Sequence, residues 1–373
     1  MIYLDNAATT KPSKNALEEA KIFNDEYFFN PSALYTGGVN SAREIKNSKD
    51  FILKTLNAFD HDVIFTSCGT ESDNTAVFGF AKRGFAVTDK GEHSAIHKSF
   101  LELKNRGVKT EFIDLNLDGS VSTEKLYEFL ESNPTNFVSI MHVNNETGAI
   151  NDINAIAKRV KQINPNTIFH SDGVQAYGKI PYAISKDVDL YSISAHKING
   201  LKGVGALIKR KKLVMPPYII GGGQENGLRS GTENVFGIKV FEYSAKEKYE
   251  KISENFERLS KIKDYFIKNL DKSIFTILSG ENSSPYILSV ATENLRGETI
   301  MHCLENKGVI VGNGSACSSK TPFSRVIESC NVSKKLLNGV IRISFSTETT
   351  MEESINAVSI INQTVKELKE IMR

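Results

Sequence analysis

Residues 192–207 read S-I-S-A-H-K-I-N-G-L-K-G-V-G-A-L. A short apolar strand, Leu190–Ile193 with Ser194 at its end, runs into a polar turn carrying His196 and Lys197. Gly200 and Gly203 then precede a second apolar run, Val204–Ile208. Both runs are apolar without alternation, the pattern of strands buried on both faces of a sheet. Outward from this point, similar runs recur at Val63–Phe65, Phe85–Val87, Phe137–Met141 and Thr167–His170. Helical patterns separate several of them, at Glu71–Lys82, Ser94–Asn105, Thr123–Glu131 and Ile153–Ile163. Strands that alternate with helices predict an α/β protein with a mostly parallel sheet and helices on its faces.

The rhythm then changes. Ile238, Phe241, Ala245, Tyr249, Ile252, Phe256 and Leu259 fall at three- and four-residue spacings, and the pattern continues to Leu270. This predicts one long amphipathic helix leading into a smaller α+β lobe. That lobe carries apolar runs at Ser273–Leu278, Tyr286–Val290 and Ile341–Phe345, and a closing helix from Met351. The expected division is a large domain over 12–250 and a small domain over 251–373, with residues 1–11 packed against the latter.

A chain of 373 residues, 40% of them hydrophobic, is long enough for two such lobes. Its net charge of +2 creates no field that would favour nucleic acid or an anionic membrane. The only basic block, Lys209–Lys212, follows a strand and reads as a solvated turn. No apolar run approaches the roughly 18 residues of a membrane helix, and M-I-Y-L-D-N-A-A-T-T has neither a basic leader nor an apolar signal core. The four cysteines (Cys68, Cys303, Cys317 and Cys330) are too scattered for a disulfide framework and form no C-x-x-C pair. The expectation is a cytoplasmic protein with reduced thiols and no metal.

In open parallel sheets, ligands bind beyond the carboxyl ends of the strands. Five strand ends here carry polar groups. After Val63–Phe65 comes T-S-C-G-T-E-S-D-N, where Gly69, Thr70 and the first N–H groups of a helix form an anion cradle. The same string also reads as an ordinary helix start capped by Thr70 or Ser72. After Phe85–Val87 comes G-E-H-S, with His93 able to stack on a planar ring. After Phe137–Met141 comes H-V-N-N-E-T-G, whose Asn144 and Asn145 offer amides but also make good turn material. Asp172 and Gln175 follow Thr167–His170, and Ser194, His196 and Lys197 end Leu190–Ile193. A lysine alone is most often a solvated cation. A lysine placed to condense with a carbonyl, beside an acid suited to a pyridinium nitrogen and groups suited to a phosphate, points to pyridoxal phosphate. In the second lobe, V-G-N-G-S-A-C-S-S-K sets Cys317 among glycine and serine, a placement for access rather than for packing.

Ten strings in order carry a family resemblance over nearly the whole chain: Y-L-D-N-A-A-T-T, N-P-S, F-T-S-C-G-T-E-S-D-N, E-H, M-H-V-N-N-E-T-G, D-G-V-Q, H-K-x-x-G-x-K-G-V-G-A-L, R-S-G-T-E-N-V, G-S-A-C-S-S and I-R-I-S-F-S. The chain resembles the cysteine desulfurases, pyridoxal-phosphate enzymes of aminotransferase class V with the fold type I architecture. The resemblance implies that Lys197 holds the cofactor covalently, that Asp172 partners its ring nitrogen and Gln175 its phenolic oxygen, and that His93 stacks on the ring. It assigns the phosphate to Thr70, Ser194 and His196, with Thr232 donated by a second subunit, and hence implies a homodimer. It assigns the carboxylate of an L-cysteine substrate to Asn145 and Arg342, the sulfur to Cys317, and the onward delivery of sulfur to an acceptor protein. Related expectations are selenocysteine lyase activity, another class V reaction, or a non-enzymatic sulfur-transfer subunit. Three departures stand out. Ala33 and Tyr35 replace the family's serine and histidine. Cys68 replaces a small residue. The segment from Cys317 to Arg342 is shorter than in the long-loop members, and no extended tail follows; both bear on docking to a scaffold.

Overall fold

The computed structural model describes residues 1–82, 84–313 and 323–371. Its strands are β1 (Ile2–Leu4), β2 (His61–Thr66), β3 (Phe85–Asp89), β4 (Lys109–Ile113), β5 (Thr135–Ser139), β6 (Ile168–Asp172), β7 (Leu190–Ser194), β8 (Gly205–Arg210), β9 (Thr276–Ile277), β10 (Ile287–Ala291), β11 (Val309–Asn313) and β12 (Val340–Ser344). One sheet has the order β2-β8-β7-β6-β5-β3-β4. β8 alone runs antiparallel to its neighbours, with Ser194 opposite Gly205 and Thr66 opposite Gly205 on its other side. The remaining pairs are parallel. Six strands therefore end at one edge, and every residue of β7 is buried.

Helices cover both faces of this sheet. On one, Phe23, Ile45, Ile52, Ile156 and Phe241 pack with Val63, Val138 and Ile193. On the other, Val77, Ile96 and Phe100 pack with Ile64 and Leu207. A second sheet, β1-β11-β12-β10-β9, has only its β1–β11 pair parallel. Leu259, Ile262, Phe266, Ile300 and Ile361 cover it from helices Ile252–Asn269, Gly297–Asn306 and Met351–Ile371. Among the described residues no helix is long and apolar enough to cross a membrane.

Three expectations need correcting. The long helix is two, Val235–Glu250 and Ile252–Asn269, parted at Lys251 with φ −131° and ψ 23°. The apolar spacing runs through the break because each half buries its stripe in a different core: Phe241 and Ala245 in the first, Leu259 and Phe266 in the second. Periodicity reports a buried face and not what buries it. The run Ser273–Leu278 pairs only over Thr276–Ile277. In the basic block, Lys209 is buried, and its Nζ donates to the carbonyls of Arg210 and Leu213 at 2.8 and 2.9 Å. Only Lys211 and Lys212 form the solvated turn.

The turn after β6 shows how tightly the loops at this strand edge are packed. A Cβ on Gly173 would lie 1.9 Å from Cζ of Tyr191, a fully buried ring whose hydroxyl meets His142 Nδ1 at 2.8 Å. Neither ring can yield without repacking the sheet. Gly173→Ala is therefore expected to cost ~2–3 kcal/mol of stability, the scale of forced overpacking. A chemical-denaturation midpoint unchanged from the wild type would contradict this packing.

Candidate functional site

A cleft of about 360 Å³ opens at the shared strand edge and is closed on one side by the second sheet. Its lining includes Gly69, Thr70, His93, Asn145, Asp172, Gln175, Ser194, His196, Lys197 and Arg342. These residues come from turns after five strands, with Arg342 supplied from β12. The sheet edge makes this convergence possible, because residues far apart in sequence end their strands side by side. Two of the expected site residues stand apart. Thr232 is exposed and is not part of the lining. Cys317 lies outside the described residues, so its place is not given by this geometry.

Lys197 follows β7 on a single 3-10 turn, Ala195–Lys197. Its Nζ donates to the carbonyls of Ala7 and Ala8, both at 2.7 Å. The amino-terminal segment thus crosses the mouth of the turn. The hydroxyl and the N–H of Thr10 donate to His196 O, and His196 Nδ1 lies 3.1 Å from Thr9 Oγ1.

Asp172 is buried at the end of β6, where Oδ1 accepts from Val174 N at 2.9 Å. Burial pushes its carboxyl up to about 6, while the Val174 N–H and Lys197 pull the other way. Asp73 is buried close by on helix Gly69–Phe80, and ligand atoms of Asp73, His93 and Asp172 lie within 4.8 Å of one another. Desolvation and the Asp172 charge raise the Asp73 carboxyl well above the usual range. Two acids this close in a dry site cannot both ionise readily. His93 caps helix Ser94–Asn105, with Nδ1 accepting from Ala95 N at 3.2 Å. Burial, then the Lys197, Arg325 and Arg342 charges, pull its imidazole down to about 4.

The ambiguity at the T-S-C-G-T-E-S-D-N turn resolves toward an open helix end. The cap residue Cys68 makes no side-chain cap bond, and the Ser72 hydroxyl is engaged with Thr66 Oγ1 and Cys68 O. Beside it the buried Ser194 Oγ has no hydrogen-bond partner. A Cβ on Gly69 would sit 2.8 Å from Val174 Cγ2, so the absence of a side chain lets the helix start close against the next turn. Glu71 in the same first turn grips one edge of the Arg229 guanidinium, accepting from Nε at 2.8 Å and from Nη2 at 3.2 Å, and this ties down the loop that carries Thr232.

The two asparagines separate. Asn144 is consumed by the turn, with Oδ1 accepting from Glu146 N and Thr147 N and Nδ2 donating to Gly91 O. Asn145 Oδ1 is buried without a partner. Arg342 donates to Asn145 O and to Asp5 Oδ1, both at 2.8 Å, and leaves its Nε unpaired. Any side chain at Gly312 would meet Asp5 and Arg342 at 2.6–3.2 Å, which keeps space beside the guanidinium. Asp5, Asp73, Gly312 and the carbonyls of Ala7 and Ala8 were not singled out from sequence. The signal for Asp73 was an acid among the apolar positions of its helix; main-chain carbonyls leave no signal in side-chain identity.

The aminotransferase class-V family model matches residues 2–357. A cysteine desulfurase IscS of Dictyoglomus turgidum is 37% identical, over 99% of this chain and 96% of that protein. A cysteine desulfurase IscS of Methanosarcina thermophila is 34% identical, over 99% and 93%. A solved structure titled as a NifS-like protein superimposes with a TM-score of 0.90 at 33% identity, covering 98% of this chain and 99% of that one.

The half-buried His93 imidazole yields a direct check. His93 is expected to titrate near 4, below the ordinary value near 6.5, and so to be neutral at pH 7. Histidine-selective NMR of the protein without added ligands measures this, and a midpoint near 6.5 would show a solvated ring instead.

Proposed function

This chain belongs to the aminotransferase class-V family, among its cysteine desulfurases, and on that premise we propose that it converts L-cysteine to L-alanine and passes the sulfur to an acceptor protein. The observation that carries the reading is the convergence of Lys197, Asp172, His93 and Arg342 on one cleft.

The residues present fit pyridoxal phosphate. The uncapped start of helix Gly69–Phe80, with the unpaired Ser194 Oγ and the His196 imidazole, suits a phosphate. Asp172 suits a ring nitrogen, His93 a ring face, and Lys197 a carbonyl carbon. Bound there, the cofactor supplies a carbonyl that condenses with amines and a ring that accepts the electron pair left by a departing α-proton. Asp172 holds a proton at the ring nitrogen. Arg342, with Asn145, binds the substrate carboxylate; its fork suits a planar carboxylate, and its own unpaired Nε supports this use. Lys197 Nζ moves the proton at the substrate α-carbon. The neutral His93 imidazole takes a proton from the substrate thiol.

Cys317 decides the reaction. Its thiolate attacks the substrate sulfur, an S–S bond forms, and the Cβ–S bond breaks with its electron pair going to carbon. A proton completes alanine, and the sulfur stays on Cys317 as a persulfide, so cysteine plus a thiol becomes alanine plus a persulfide. The Thr232 loop supports a homodimer in which Thr232 serves the neighbouring subunit's phosphate site: Thr232 is exposed, yet its loop is pinned by the Arg229–Glu71 pair beside the helix start. The proposed setting is the cytoplasm, with an iron–sulfur scaffold or a thiolation enzyme as the acceptor. A selenocysteine lyase is the less favoured reading, because the named relatives are cysteine desulfurases.

Incubation of the purified protein with pyridoxal phosphate and L-cysteine is expected to yield alanine and a protein persulfide. Cys317→Ser should retain the cofactor's visible absorbance while alanine falls to background, and Lys197→Ala should lose the covalent band. Full desulfuration by Cys317→Ser would overturn the assignment. Arg342→Lys keeps the charge and loses the fork, so KM for cysteine should rise roughly tenfold or more. An unchanged KM would remove Arg342 from the carboxylate site.

A further inference from the structure

Lys179 is a buried lysine that the mechanism above does not use. It sits four residues after Gln175, in the turn after β6, with a relative exposure of 4%. Its Nζ donates to Gln175 Oε1 at 2.7 Å. Among the described residues the charged groups acting on it are all cations, Lys197, Arg342 and Lys248, and no ion pair there explains its burial. Its Nζ also lies 5.8 Å from the Tyr286 ring centroid. Burying a lysine in this way is costly unless the group has a task.

The other end of Gln175 shows what that task is. Gln175 Nε2 donates to Ala7 O at 2.9 Å, the same carbonyl that accepts from Lys197 Nζ at 2.7 Å. Ala7 lines the cleft and Lys179 does not. A side-chain amide can face either way round, and only its partners decide which. Lysine presents N–H groups and a carbonyl oxygen presents none, so the two partners together allow one orientation. The oxygen faces the protein, and the NH₂ group faces Ala7 and the cleft. That NH₂ group has a second hydrogen for an oxygen acceptor in the cleft.

We propose that Lys179 is a positioning residue, which locks the Gln175 amide so that its NH₂ group, and not its oxygen, is presented to an anionic oxygen on the bound cofactor ring. The proposal rests on the pyridoxal-phosphate reading. With Lys179 lost, only the Ala7 carbonyl still selects the orientation, and a turned amide would set its oxygen against the ring oxygen that the NH₂ group holds.

The test is a double-mutant cycle on the holoenzyme, with Lys179→Met and Gln175→Ala made singly and together. Lys179→Met should move the visible absorbance maximum of bound pyridoxal phosphate and speed its dissociation about tenfold, the scale of one hydrogen bond to a charged oxygen. In the Gln175→Ala background the same change should alter dissociation less than about twofold, because the residue it acts through is gone. In protein without cofactor, the Gln175 side-chain NH₂ resonances should exchange with solvent faster in Lys179→Met than in the wild type. An unmoved band and rate, or an equal tenfold loss without Gln175, overturns the proposal. So does unchanged NH₂ exchange. If Lys179→Met does not fold, Lys179→Gln, whose polar end stops one atom short of Gln175 Oε1, takes its place in the cycle, with the same results supporting or overturning the proposal. Wild-type protein that takes up no pyridoxal phosphate would sink the functional reading instead, and the exchange measurement would still decide how Gln175 is held.

Discussion

The attachment of the amino-terminal segment to both sheets is the constraint on which the cleft depends. Asn6 Nδ2 donates to Ser344 O at 3.0 Å, and Ala7 N donates to Ser344 Oγ at 2.9 Å, which fastens the segment to β12. Thr10 and His196 fasten its far end to the turn after β7. Just before the first anchor Asp5 meets Arg342, and between the anchors the carbonyls of Ala7 and Ala8 meet Lys197 and Gln175. One short stretch of main chain therefore sets the spacing between the lysine on one sheet and the arginine on the other. Backbone carbonyls suit this purpose because they are strong acceptors that cannot be titrated away.

Around that strap the cleft gathers buried and half-buried groups whose charge is unsettled. Burial pushes Asp172 up to about 6 and Asp73 further above its usual range, and it pulls His93 and His196 down to about 4. The directions share one cause: a low-dielectric site disfavours whichever form carries charge. A bound cation beside Asp172 or an anion beside Ser194 and His196 would reverse these preferences locally. Strongly perturbed groups gathered in one cleft are the expected mark of a site built for a charged partner.

The strand edges and several helices were legible in the sequence because each buries a continuous run or a single stripe against one neighbour. Helices Ser94–Asn105 and Ile153–Ile163 carry such stripes and match their expected bounds. The break at Lys251 was not legible, since the apolar spacing passes through it unchanged while the surrounding core changes. Strand β4 was hidden as well: Lys109–Ile113 lies at the sheet edge, mostly half-buried, and so lacks a continuous apolar run. Among the site residues, Asp172 and Lys197 stood out because each follows a strand that reads clearly. Asn144 and Asn145 could not be told apart, because the same amide serves a turn or a ligand and only its neighbours decide.

The amino-acid sequence by itself determined the layered α/β architecture, the strand ends at which chemistry gathers, and the residue types that suit a phosphate, a pyridine ring and a carboxylate. These follow from local periodicity and from functional groups, which are properties of neighbouring residues. Only the tertiary structure decided that Arg342 reaches the cleft from the second sheet, that Ala7 and Ala8 offer their carbonyls to Lys197, and that Lys179 donates to the Gln175 amide oxygen. Each of these is a contact between segments that only folding brings together, and Asp5 and Arg342 are 337 residues apart. Such contacts depend on how two separately formed cores pack together, and no local pattern encodes that distance.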